Sequence, residues 1–436
     1  MELSLVQTFL ASVVKRQRLF GTDEYSTLEE LLEKLMSSSG EISAMVTARE
    51  IFDRYKNLND EEKLKFFSHL ESNFNAETDE VRLAFSEYEK NPSSLNLRHL
   101  SDASEPRRRE LLRRLNQTAG ATHDLVAMRS DLLKLLKEHP QLAAVDSDFI
   151  HLFASWFARG FLVLQTIDWT TPADILERII RYEAVHEIQD WDDLRSRIQP
   201  DNRRCFAFFH PALIDEPLIF VEIALSNQVP ESINEILAGE PEQDFSGDYD
   251  TATFYSISNC QPGLKNISFG NFLIKQVVQE LQSEVPTIKH FVTLSPIPGF
   301  NHWLAGRGRE TSKPLSDLAE EIATSPHDAD TVNEQADALK KLCAEYLLNA
   351  KRGILPMDSV ARFHLGNGAL IHKIRTGADL SDKGLRQSRG MMVNYLYDTR
   401  HIERNHEQFM TEGKIDSSSD IQKLLVKVKT AAKKSA

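Results

Sequence analysis

Cysteine is scarce in this 436-residue chain: the three residues at positions 205, 260 and 343 are too few and too scattered for a disulfide framework or a thiolate zinc site. A reducing, cytoplasmic setting is the expectation. Long apolar runs are also missing, since no window reaches the ~18 uninterrupted hydrophobic residues of a membrane span, and no membrane partner is expected. The apolar stretch from Met1 to Val14 precedes Lys15, Arg16 and Arg18, the reverse of a secretory signal, and reads as an amphipathic helix. No peroxisomal tripeptide closes the sequence at Lys433-Lys434-Ser435-Ala436. Positive charge is in deficit. A formal net charge of −14 argues against nucleic acid as the main partner, because phosphate neutralisation needs clustered Lys and Arg. The clusters that exist, Arg107, Arg108, Arg109, Arg113 and Arg114 on one predicted helix and Lys423, Lys427, Lys429, Lys433 and Lys434 near the end, read as solvated faces. Acidic residues from Glu240 to Asp250 lack the spacing of a calcium loop, and His401 and His406 are too far apart in phase to share a helix face, so both read as surface residues.

What is present divides in two. From residue 1 to about 167 the apolar spacing is helical almost throughout, with Ser104-Glu105-Pro106 and Gly120 as start and stop signals around Leu111, Leu112 and Leu115. Phe149, Leu152, Phe153, Trp156 and Phe157 form an aromatic stripe suited to a helix-helix core. Residues 168–436 have another texture. Strand-like runs occur at Cys205–Phe209, Leu218–Leu225, Phe254–Ser258, Phe291–Leu294 and Met391–Tyr397, and a helix is predicted from about Asp330 to Asn349. Between the third and fourth runs, Phe272, Leu273, Val277, Val278 and Leu281 recur at helical spacing, which predicts a βαβ unit and a parallel strand pair. The fold class is therefore α+β, an all-α bundle followed by a mixed α/β domain.

Two places in the second part attract attention. Phe291-Val-Thr-Leu reads as a buried strand that Pro296 and Pro298 stop, leaving Ser295 at its end, where a hydroxyl serves either its own turn or a ligand. The loop Gln261–Asn271, with Gly263 and Gly270, leads from a strand to a helix N-terminus, a place that suits either a plain connection or a pyrophosphate. It is neither a Walker loop nor a Rossmann fingerprint.

Asn271-Phe-Leu-Ile-Lys275, Leu294-Ser-Pro-Ile-Pro-Gly-Phe300, Phe363-His-Leu-Gly-Asn-Gly-Ala369 and Met392-Val-Asn-Tyr395 together closely resemble the malonyl-CoA decarboxylase family in content, order and spacing. The likeness extends through Tyr182-Glu-Ala-Val-His186, Arg203-Arg-Cys205 and the Glu216-Pro-Leu run, and so covers most of residues 150–400. It implies a helical domain, 1–167, and a catalytic domain of the Gcn5-related acetyltransferase (GNAT) fold, 168–436. It also implies that Lys265, Asn266, Ile267, Ser268, Phe269, Gly270 and Asn271 cradle the CoA pyrophosphate through their backbone amides, that Ser295 and His364 are catalytic, and that Tyr397 lies near the site. Ser268 departs from the glutamate of some animal members, which leaves the side chain there without an assigned role. Family relatives are homo-oligomers, often tetramers, so self-association is expected.

The chemistry implied is loss of CO2 from malonyl-CoA to leave an enolate, then protonation to acetyl-CoA. The thioester is the electron sink, so neither biotin nor a metal is expected, and the chain shows no Met-Lys-Met biotin site. His364 would donate the proton, since imidazole titrates near ~6.5. Ser295 would engage the malonyl carboxylate or accept a proton, and Asn367 or a backbone amide would face the developing oxyanion. Two other readings use the same residues differently: an acyl-CoA-dependent N-acyltransferase, and a noncatalytic acyl-CoA sensor in which Ser295 and His364 are dispensable.

Overall fold

The computed structural model describes residues 26–238, 249–267, 273–306 and 313–425. By contacts these fall into two units, one of residues 26–163, 209–218 and 261–267, the other of the remainder. Among the described residues, no helix is long and apolar enough to cross a membrane.

The first unit holds helices α1 (Leu28–Ser37), α2 (Glu41–Lys56), α3 (Asp60–Asn73), α4 (Thr78–Lys90), α5 (Ser94–Ser104), α6 (Arg107–Leu115), α7 (Ala121–Leu135) and α8 (Ala143–Trp156). Local sequence explains several starts. Thr27 with Glu30, and Asn59 with Glu62, close reciprocal capping boxes on α1 and α3. Ser104 ends α5 rather than capping α6, which begins after Pro106, and Gly120 (φ 74°) is the N-cap of α7 rather than the end of α6. The aromatic stripe is core, as its spacing predicts: Phe149, Phe153 and Phe157 are fully buried and meet edge to face at 5.5 and 5.6 Å. Each such ring contributes roughly 1.5–3 kcal/mol on burial.

The arginine cluster is not a solvated face. Arg108 is buried against the Asp148 carboxylate at 2.7 Å, Arg109 reaches the other oxygen of Asp148 at 2.8 Å, and Arg114 donates to the carbonyls of Leu35, Met36 and Ser38. These guanidinium groups satisfy helix-end carbonyls that would otherwise lack partners.

Residues 261–267 are fastened to α7. Arg129, wholly buried, donates from Nη1 to the carbonyls of Gly263 (2.6 Å) and Lys265 (2.9 Å), while its Nε pairs with Asp146 at 2.8 Å. Gly263 is required by approach. A Cβ there would lie 1.9 Å from the Val126 carbonyl oxygen.

The second unit is built on an eight-stranded sheet. Its strands are β1 (Val163–Ile167), β2 (Arg203–Phe209), β3 (Pro217–Ser226), β4 (Thr251–Asn259), β5 (His290–Thr293), β6 (Ser295–Pro296), β9 (Leu370–Arg375) and β10 (Met392–Leu396), with β7 (Lys351–Arg352) and β8 (Leu355–Pro356) forming a separate pair. The order is β1-β2-β3-β4-β5-β10-β6, and β9 also pairs with β10. β1 lies just before residue 168, inside the stretch whose apolar spacing predicts helix. β3 and β4 are antiparallel, β4 and β5 parallel in the register Thr251↔His290 to Phe254↔Thr293, and β10 antiparallel to β5, β6 and β9. The parallel pair follows the predicted βαβ unit. Its crossover helix, α9 (Leu273–Glu284), buries Leu273, Ile274, Val277, Val278 and Leu281.

Three more helices matter for the site: α10 (Phe300–Gly306), α11 (Ala336–Asn349) and α12 (Ser359–Gly366). The helix predicted from Asp330 is two, Ala329–Glu334 and α11, parted at Gln335. This helical first part and mixed-sheet second part make the α+β architecture the sequence predicts.

Candidate active site

The strand carrying Ser295 does not stop at the proline. Pairing of β5 with β4 ends at Thr293, the chain breaks step at Leu294, and the ladder resumes as β6, with Ser295 opposite Val393 and Pro296 opposite Met392. Pro296 is tolerated because β6 ends the strand path, where a missing donor leaves no central ladder bond unmade. Beyond Phe254, β4 runs on to Asn259 without β5 beside it, and a cavity of about 230 Å³ opens there.

His364 comes to this cavity on α12. Asp358 caps that helix, accepting the amides of Val360 and Ala361 at 2.9 Å each, and the i, i+3, i+4 face of Ala361, His364 and Leu365 is buried. The result is a chain of side chains. Ser295 Oγ lies 2.8 Å from Thr293 Oγ1 and 3.0 Å from His364 Nε2, and His364 Nδ1 lies 2.7 Å from the Tyr397 hydroxyl. Thr293 Oγ1 also accepts the Tyr395 amide at 3.1 Å, and the His364 ring stacks on Tyr395 at 4.6 Å.

The donor order follows from the valences. With Ser295 donating to Thr293, its oxygen accepts Nε2–H of a neutral imidazole, and Nδ1 accepts the Tyr397 proton. Neutrality has a physical cause. Burial, with no ionic partner, pushes His364 down to about 3, so the imidazole does not titrate near ~6.5 as its residue type suggests. Burial likewise pushes the Tyr397 phenol well up, which keeps its proton in place at neutral pH.

Ser295 and His364 face walls made by Val185, Ile219, Phe254, Ile257, Val360 and Phe363, and none of the cavity's lining residues carries a charge. Val185 is held there by Glu183, whose carboxylate accepts the amides of Val185 and His186 and the hydroxyls of Ser256 and Ser258.

Of the residues singled out from the sequence, Ser295, His364 and Tyr397 come together. Asn367 does not. Its amide donates to the Phe363 carbonyl at 2.7 Å, and it is not among the residues that line the cavity. Lys265 and Asn266 are exposed and Ile267 buried, with Asn266 at φ 66°, and these three belong to the first unit; Ser268, Phe269, Gly270 and Asn271 lie outside the described residues. His406 is half-buried rather than a surface residue, with Nδ1 2.7 Å from the Gly366 carbonyl. Among the described residues no group of three or more His, Cys, Asp or Glu side chains could hold a metal ion. Sequence reasoning missed Thr293, Tyr395 and Asp358. The first two had a signal, since each stands two residues from an assigned neighbour on the same strand face.

A helical part followed by a mixed-sheet part, with Ser295 and His364 facing a mostly apolar cavity and Tyr397 behind the imidazole, is the arrangement set against known proteins. The malonyl-CoA decarboxylase C-terminal domain matches residues 160–435, and the malonyl-CoA decarboxylase N-terminal domain matches residues 74–157. Solved malonyl-CoA decarboxylases are similar. One from Rhodopseudomonas palustris is 48% identical, with a TM-score of 0.86 over 91% of this chain and 98% of that one. One from Agrobacterium vitis is 46% identical, with a TM-score of 0.85 over 92% and 100%. The mitochondrial malonyl-CoA decarboxylase of Anser anser anser is 34% identical over 72% of this chain and 69% of its own. The chain belongs to the malonyl-CoA decarboxylase family.

Proposed function

We propose that this chain converts malonyl-CoA to acetyl-CoA and CO2 at Ser295 and His364. The observation that carries the reading is the 3.0 Å contact between Ser295 Oγ and His364 Nε2 in a cavity whose described lining is mostly apolar and uncharged. A carboxylate brought among uncharged walls loses hydration, whereas CO2 and a delocalised enolate lose less, so enclosure favours breaking the bond between C2 and the carboxyl carbon. Binding of the CoA body offsets the cost of enclosing the carboxylate. The electron pair of the broken bond moves into the thioester carbonyl, and CO2 departs.

Ser295 engages the malonyl carboxylate through its hydroxyl. His364 then gives its Nε2 proton to C2 while Nδ1 takes the Tyr397 phenol proton, so no imidazolate forms; after the product leaves, Nε2 takes a proton from solvent in the cavity and Nδ1 returns its proton to Tyr397. One proton is consumed per turnover. No acyl-serine is required, and neither biotin nor a metal, because the thioester itself accepts the electron pair. In this reading the loop from Lys265 to Asn271 cradles the CoA pyrophosphate; the amides of Lys265 and Ile267 are donated to the Pro262 and Leu264 carbonyls, which shape the turn, and the contact falls to Asn266 and the residues after Ile267.

The test is CO2 release from malonyl-CoA with no amine present, followed together with acetyl-CoA formation by wild type and His364→Ala. Stoichiometric products from the wild type and their loss in the variant support the reading; strict dependence on an amine overturns it. We also place the enzyme in the cytoplasm, in keeping with three buried free thiols, and as a homotetramer. Exposed Leu83 and Phe85 on α4 and Leu95 and Leu97 on α5 support self-association.

A further inference from the structure

We infer that Asp358 is a positioning residue that sets the separation of Ser295 and His364; the inference rests on the reading of that pair given above. Asp358 is 1% exposed and is not part of the cavity lining. Its carboxylate gathers the two segments that bear the pair. On one side it accepts the amides of Val360 and Ala361, at the start of the helix that carries His364. On the other it lies against Gly299, where a Cβ would sit 3.7 Å from Oδ2, in the turn running on from Ser295 through Pro296, Ile297 and Pro298.

A third contact keeps the carboxylate in place, the Tyr346 hydroxyl on α11 at 3.4 Å from Oδ2. Gly299 is part of the same fit. A Cβ at that position would lie 2.2 Å from the Tyr346 hydroxyl oxygen and 3.7 Å from Asp358 Oδ2. Burial raises the Asp358 pKa even though three amides pull the other way, so the group is held in place by its bonds rather than by hydration. Helix capping alone would need only the two amides of α12. The additional contact with Gly299 is what couples the serine turn to the histidine helix.

A misplacement of about 1 Å between reacting groups costs about 100-fold in rate, and the Ser295–His364 contact is 3.0 Å. The discriminating variant is Asp358→Ser, because serine is a good helix cap but is too short to reach Gly299 and Tyr346. Its kcat is expected to fall about 10- to 100-fold, with KM for malonyl-CoA and the calorimetric affinity and stoichiometry for CoA unchanged. Asp358→Asn, which keeps the reach and one accepting oxygen, should fall between serine and wild type. Wild-type kcat in Asp358→Ser overturns the inference. So does a loss of kcat no larger than the loss of CoA-binding sites, which marks a folding role only, or an Asn variant as damaged as the Ser one. Ser295→Ala, run alongside, separates the two levels. If that variant turns over normally the reading of the pair fails, whereas if it is inactive and Asp358→Ser is normal, only the role of Asp358 falls.

Discussion

His364 has no ionic partner among the described residues and sits at about 3 through burial, which makes its protonation a matter of stability as well as catalysis. In an unfolded chain it would titrate near ~6.5. Between those values the unfolded chain binds the extra proton, so the contribution is fully present above about 6.5 and is lost as pH falls toward about 3. His186, lowered to about 4 chiefly by burial, acts in the same direction. Replacing His364 with Gln should therefore flatten the fall in denaturant-unfolding free energy between pH 6.5 and pH 4; a slope equal to wild type would contradict the buried neutral state. Tyr397→Phe removes the proton that refills Nδ1, and kcat should drop about 100-fold at nearly constant KM, as read by a coupled acetyl-CoA assay. Ser295 and His364 were legible because each sits in an intact local motif of the family it resembles, and Tyr397 because the same resemblance aligns it with a family tyrosine near the site. The depressed imidazole was not legible, since the surroundings that desolvate it come from β4, β6, β10 and α12, which only the tertiary fold brings together.

Among elements, the informative ones break pattern. Pro296 suggests the end of a strand, yet β6 pairs with β10 because an edge position asks nothing of the missing amide. The Arg107–Arg114 run looks like a charged surface, but Arg108 is buried on Asp148, a pairing that depends on α8 lying against α6 and is invisible in local spacing. Removing one member of such a buried pair costs roughly 3–5 kcal/mol, so Arg108→Ala should lower the unfolding free energy by that order in a urea titration. The turn that ends in Lys265 is a second rigid element. Because the Val126 carbonyl leaves no room for a methyl group, Gly263→Ala should destabilise by about 1–3 kcal/mol, and on the proposed CoA contact it should weaken CoA binding in calorimetry while sparing the Ser295–His364 chain. Helical and strand content was well signalled by periodicity. Boundaries were less so: β1 and the break at Gln335 depend on packing partners distant in sequence.

For the whole molecule, the change from helical to strand-bearing texture near residue 168 was readable from spacing alone, and the parallel pair across α9 followed from the same periodicity. The two matched family domains cover 74–157 and 160–435. Assembly is a property at this scale. Light scattering at micromolar concentration should give about four times the 49.6 kDa chain mass, and a monomer would refute the proposed tetramer. Prolonged treatment with EDTA should leave turnover within experimental error of the untreated enzyme, because the proposed electron sink travels with the substrate. The uncharged wall of the cavity carries one more consequence. Among the described residues of its lining, chloride, phosphate and bicarbonate find no fixed cation to occupy, so on the proposed reading the salts of a cell compete weakly with an anion that arrives tethered to its own handle.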